Sequence, residues 1–248
     1  MSSVQKKIIK DTTYLLGSSI GGRIFGSIAG IVTARFLGPS DFGLLKIINF
    51  IPTLSKYGGF GFASVAKREI PHYRSKDDVD LKLEKKIKNV SYSADILWSI
   101  LLVVIVFISS FFYIKTEIKI GLWIVSVTLL IKSIEKLYTT ETIIEKKFPI
   151  IAYASFLSSI ITSCIILATI YWGGIYSILI AGLFGSLFSI FIFWKKIKLS
   201  FSFYLEKNEL VRQLVIALPL AGGTLMYGLY GWVQRLQVSF LFGNEMLG

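Results

Sequence analysis

The chain has 248 residues, of which 54% are hydrophobic and 15% aromatic, and its formal net charge is +12. A mean hydropathy of +0.67 excludes a soluble domain, and apolar stretches long enough to cross a bilayer recur along it, which makes this an all-α, multispanning membrane protein. The excess positive charge falls mostly between the apolar runs, so it reads as topology signals and anionic-lipid contacts rather than a nucleic-acid surface.

Seven apolar spans follow one another, at Tyr14–Leu37, Phe42–Ala66, Tyr92–Tyr113, Ile118–Tyr138, Ile150–Trp172, Ile175–Trp194 and Val211–Phe242. Most reach the roughly 20 residues that a membrane helix needs. The first, second and seventh are longer and interrupted by polar residues and glycine, which predicts tilting or kinking. Pro52 and Pro219 are the expected bends. A tight turn, Gly38-Pro39-Ser40-Asp41, separates spans one and two, and Gly173-Gly174 separates five and six.

Lysine and arginine alternate in abundance between connections. The N-terminus carries Lys6, Lys7 and Lys10. The connection between spans two and three carries Lys67, Arg68, Arg74 and a run from Lys76 to Lys88. Lys146 and Lys147 lie between four and five, and Lys195 to Arg212 between six and seven. The intervening turns are poor in charge. The positive-inside rule therefore places the N-terminus and the basic loops in the cytoplasm. Within the second connection, residues 77–90 have Val79, Leu83, Ile87 and Val90 at helical spacing among lysines. This segment reads either as a short amphipathic helix on the membrane surface or as a solvated linker helix.

Six basic residues fall inside the spans: Arg23, Arg35, Lys46, Lys56, Lys132 and Arg235. A charge at the bilayer centre costs ~2.5–3.5 kcal/mol on insertion scales, so it faces a protein interior or a water-filled cavity unless it can snorkel to the headgroups. Arg35 and Lys56 can snorkel. Arg23 and Arg235 lie several residues from either boundary. Lys132 has either Glu135 at helical spacing or a cavity as its counterpart. The acids noted near the membrane are Asp41 at a turn and Glu135 and Glu141 at the cytoplasmic end, so the interior reads as unbalanced positive charge. Such a site suits an anionic ligand, and phosphate matches guanidinium in charge and geometry.

Ser18, Gly22, Gly26, Gly30 and Ala34 recur every fourth residue in span one, a ridge that lets another helix approach closely. The serines and threonines of span five can satisfy one another or backbone carbonyls. Cys164 is the only cysteine and His72 the only histidine, so no intrachain disulfide and no metal site of that kind is expected, and no cofactor or catalytic constellation is visible.

Residues 15–43 and 219–248 match each other. Each has a glycine-containing start, an apolar helix with an arginine, then a turn with an acid and a glycine, FLGPSDFG in the first and LFGNEMLG in the second. A repeat beginning at span seven implies two six-helix halves. The stretch GSSIGGRIFGSIAGIVTARFLGPSDFGLLKIINF resembles the N-terminus of polysaccharide biosynthesis proteins of the O-antigen (Wzx-like) flippase group. That group belongs to the multidrug/oligosaccharidyl-lipid/polysaccharide exporter superfamily. ETIIEKKFPIIAYASFLSS and ALPLAGGTLMYGLYGWVQRLQVSFLFG are similar to its junction of helices four and five and to its helix seven.

The resemblance implies a two-lobed, MATE-like transporter fold. Residues 1–200 would form the N-terminal six-helix lobe, with the surface helix at about 77–90, and residues 201–248 the linker and first helix of a truncated second lobe. It implies flipping of polyprenyl-pyrophosphate-linked glycan across the cytoplasmic membrane, without enzymatic chemistry. Arg23, Arg35, Lys46, Lys132 and Arg235 would be substrate-binding cavity cations. The expected partners are that lipid-linked glycan and anionic membrane lipids, with no nucleic acid. A missing second lobe or a homo-oligomer would complete a chain that is naturally this short. The rival readings are an organic-cation exporter, which predicts buried acids, a non-transporting scaffold or inactive half-transporter, and a membrane glycosyltransferase, which predicts a large catalytic loop.

Overall fold

The computed structural model describes residues 3–49, 61–74, 81–113 and 115–242. Among them every regular element is an α-helix: α1 (Ser3–Ile48), α2 (Phe62–Tyr73), α3 (Leu81–Ser110), α4 (Thr116–Ile144), α5 (Phe148–Lys196) and α6 (Lys207–Phe242). α1, α3 and α5 are each long and apolar enough to cross a membrane. α4 carries Lys119, Lys132, Glu135 and Lys136 along its apolar stretch and falls outside that class.

Two of these helices are hairpins. In α5, Ser158 Oγ donates to the Gly185 carbonyl oxygen at 2.8 Å, although 27 residues separate them. A straight helix would hold those residues about 40 Å apart. Ser177 donates to the Thr169 carbonyl at 2.8 Å, also across the break, which lies at Gly174 with φ 52 and ψ −130. That backbone is open to glycine and strained for other residues. α1 turns back at Gly38, φ 70 and ψ 175, and Pro39 then opens the returning arm with its preset φ. The four-residue turn expected there is thus a single glycine between two helical arms. Ile48, ten residues beyond Gly38, packs with Leu179, five residues into the returning arm of α5. Both hairpins therefore turn at the same end of the bundle.

Span one and the start of span two accordingly form α1, and spans five and six form α5. Pro52 and Lys56 lie outside the described residues. α6 continues as a helix through Pro219 rather than ending there. Residues 77–90 show a further difference. From Leu81 onward they are the first turns of α3 and continue into the third span without a break. Ile87 and Val90 are fully buried, Ile87 against Ile70 of α2 and Leu137 of α4, so the apolar face is covered by protein.

Among the glycines of span one's small-residue ridge, only the first, Gly22, is closely approached by another helix. A methyl group built on Gly21 would collide with Phe156, and one on Gly22 with Ser159, whereas Gly26 and Gly30 face open space. Burial on this arm passes instead to Thr33 and to Ala29, which packs with Ile166, Ile170 and Ala181 of α5. The outer surface is apolar, with Ile24, Ile28 and Ile31 of α1, Leu101 and Ile105 of α3, and Val127 and Ile134 of α4 exposed. Aromatic side chains mark both ends: Phe112 and Trp172 at the turning end, and Trp194 and Tyr204 at the other. Trp194 lies 20 residues beyond Gly174, about 30 Å along a helix, which matches the hydrocarbon thickness of a bilayer. The protein is an all-α membrane protein.

Candidate functional site: a polar groove on α1 and a lysine-lined cavity beside α4

Arg23 lies 15 residues before Gly38, about 22 Å from the turning end and so well inside the membrane-crossing length. Its side chain is exposed on the face of α1 that also carries Gly26 and Gly30. It lines a groove of 360 Å³ with Ser18, Ser19 and Gly22 of α1 and Ser155 and Ser159 of α5. Ser18 and Ser159 already donate to the carbonyls of Leu15 and Ser155, so their oxygens remain as acceptors facing the groove. Ser18 and Ala152 are shared with an apolar groove of 530 Å³ bordered by Tyr14, Pro149, Tyr153 and Phe156. One seam between α1 and α5 thus presents a cation and hydroxyls next to an aromatic trough.

The other expected cations are dispersed. Arg35 is exposed 12 residues further along the same arm, beside the turn. Lys46 is half-buried on the returning arm, with its ammonium 4.4 Å from the Phe42 ring centroid, a cation–π contact. Lys132 lines a different cavity, of 450 Å³, walled by Lys67 of α2, Trp98 of α3, and Glu135 and Lys136 of α4. Arg235 lies on α6 in a stretch whose side chains are outside the described residues. The structure therefore brings no two of Arg23, Arg35 and Lys132 together.

The membrane end that bears the basic loops holds an ion-pair lattice. Lys88, read from the sequence as a loop cation, is buried and donates to Glu141 at 2.5 Å, and the Tyr92 hydroxyl donates to the other carboxylate oxygen at 2.7 Å. Asp95, absent from the sequence-based reckoning of acids, is also buried and accepts from Lys136 at 3.0 Å. Among the described residues, the buried acids of α3 and α4 are thus each matched by a lysine from a neighbouring helix. That corrects the reading of an interior with almost no negative charge. The signal was present: Asp95 and Lys136 are opposite charges in consecutive, antiparallel spans.

The lattice continues to α6. Arg212 makes two hydrogen bonds to Glu69 of α2, at 2.9 and 2.7 Å, and two to Glu209, at 3.0 and 2.7 Å. Burial pushes the Glu209 carboxyl up, but hydrogen bonds from Arg212 and Gln213 outweigh it and hold the pKa below the usual value. The non-helical residues 197–206 lie along α3, where Asn89 donates to Ser202 and Lys86 to Glu206, both at 2.7 Å. At Lys67, one residue beyond the second span, burial and then the nearby charge of Lys136 lower the pKa, with Asp95 acting the other way.

A comparison with protein families matches residues 8–248 to the polysaccharide biosynthesis protein family. No curated protein and no solved structure matches the chain. An all-helical membrane bundle with polar, cation-lined recesses, matched over nearly its whole length, belongs to the polysaccharide biosynthesis protein family, and its role lies in polysaccharide synthesis or export.

Proposed function

We propose that this protein flips polyprenyl-pyrophosphate-linked glycan from the cytoplasmic to the outer leaflet of the plasma membrane by alternating access, with no covalent chemistry. The observation that carries this is Arg23, exposed in a hydroxyl-lined groove within the membrane-crossing length on an open face of α1. A guanidinium left there gains from a multiply charged anion, and a pyrophosphate offers oxygens for bidentate bonds while the Ser18 and Ser159 oxygens accept from sugar hydroxyls. The adjoining trough of Tyr14, Tyr153 and Phe156 suits the isoprenoid tail. Arg35 and Lys46 on the two arms of α1, and Arg235 on α6, supply further cations along the path. The open stripe around Gly26 and Gly30 is the surface against which a second lobe, or another copy, closes the cavity. In this arrangement residues 1–200 are one lobe, α6 begins the next, and the N-terminus is cytoplasmic.

An organic-cation exporter needs a carboxylate available to its cargo. Among the described residues the buried acids Asp95 and Glu141 are held by lysines and Glu209 by Arg212, which weighs against that rival.

The test is restoration of surface polysaccharide in cells lacking their own flippase. Arg23→Gln and Arg235→Gln should each abolish it while membrane insertion persists. Full restoration by both variants would remove the role given to these arginines.

A further inference from the structure

The cavity walled by α2, α3 and α4 is separate from the α1–α5 groove, sharing no residue with it. Lys67, Lys132 and Lys136 line it with one acid, Glu135, and Asp95, outside the wall, engages Lys136. Lys67 and Lys132 still leave it net positive. Among the described residues Lys67 is half-buried and makes no ion pair, and both burial and Lys136 disfavour its charge. A bound anion would relieve that penalty directly.

Position selects the kind of anion. Lys132 and Lys136 lie 16 and 20 residues into α4, about 24 and 30 Å from its start, at the end that leads to Lys146 and Lys147. Lys136 is thus at headgroup depth for a helix entering from the opposite side, and Lys132 lies one turn inside it, within reach of a snorkelling ammonium. The two helices bordering the cavity expose apolar side chains to the outside, Leu97 and Leu101 on α3, Leu130 and Ile134 on α4. A soluble ion has no use for such flanks, whereas acyl chains lie against them.

We infer that this cavity binds the phosphate headgroup of an anionic lipid from the leaflet at the basic end of the bundle, with Lys67 the principal cation and Lys132 the second. The site does not depend on the transport reading, since it uses neither Arg23 nor the α1–α5 seam. It also gives Lys132 a ligand distinct from the transported one.

Trp98 lines the cavity and serves as its reporter. The whole protein is reconstituted into phosphatidylcholine vesicles containing a minor fraction of brominated phosphatidylglycerol or, in parallel, brominated phosphatidylcholine. The Trp98 contribution is the fluorescence quenching lost in Trp98→Phe. It should be stronger with the brominated anionic lipid. Lys67→Gln should cut that preference about fivefold, the worth of one cation near an anionic leaflet, and Lys67→Arg should keep it. Equal quenching by both lipids in the unaltered protein would overturn the proposal, as would an unchanged preference in both Lys67→Gln and the Lys67→Gln/Lys132→Gln double variant. Relief of the quenching by millimolar inorganic phosphate would assign the site to a soluble ion and overturn the lipid assignment.

Discussion

Lys88 and Glu141, 53 residues apart in the chain, meet at 2.5 Å inside the bundle, with the Tyr92 hydroxyl on the second carboxylate oxygen. Their pairing ties α3 to α4 at the end where the basic loops lie. A contact between Lys88 and the Ser200 hydroxyl, at 3.3 Å, extends the tie to the segment before α6.

Removing one member of this pair leaves a buried charge uncompensated. Glu141→Gln should destabilise the protein by ~3–5 kcal/mol, whereas Lys88→Met with Glu141→Leu and Tyr92→Phe, which removes both charges and the orphaned hydroxyl, should recover most of that loss. Thermal unfolding in detergent compares the two. Equal losses would show that the pair is not the source of the cost.

The hairpin of α5 depends on Gly174. Its φ of 52 with ψ of −130 is closed to side chains, although a methyl group there would meet only Leu37, at 3.9 Å. Gly174→Ala should therefore cost ~1–3 kcal/mol through the backbone alone. Gly182→Ala, in open space on the helical returning arm, should be neutral or slightly stabilising. Denaturation of the two variants side by side checks the contrast.

Acid should loosen the segment before α6. Hydrogen bonds from Lys86 and Tyr204 hold the Glu206 carboxyl below its usual pKa of 4.5. Because the folded value is the lower one, this contribution to stability is fully present above the unfolded pKa. It is lost as pH falls below 4.5 through the folded value. Proteolysis of residues 197–206 should accelerate across that acid window in the unaltered protein. In Lys86→Gln it should already be faster at neutral pH, with a smaller acid step.

The membrane-crossing stretches in α1, α3 and α5 were legible because apolar length is a local property, and the reversals at Gly38 and Gly174 were marked by glycine. What was not legible depended on distant partners. Lys88 looks like one lysine among many in a basic run, and only Glu141, in another helix, makes it an interior residue. Asp95 stands alone in its span until Lys136 is placed beside it. The face of α3 that carries Ile87 and Val90 has the spacing of a membrane-surface helix, and only the positions of Ile70 and Leu137 show that protein covers it. Arg23 was identified by its depth in an apolar run. Its serine neighbours from α5 required the fold.

The central claim is tested most directly by transport in purified proteoliposomes. A polyprenyl-pyrophosphate-linked glycan is supplied in both leaflets, the externally exposed fraction is removed enzymatically, and appearance of further glycan at the outer surface is followed. Protein-dependent transfer that Arg23→Gln abolishes, and that Gly182→Ala leaves largely intact, is the predicted result. Transfer at the same rate with Arg23→Gln, or no transfer of the glycan alongside gradient-driven efflux of an organic cation, would contradict it.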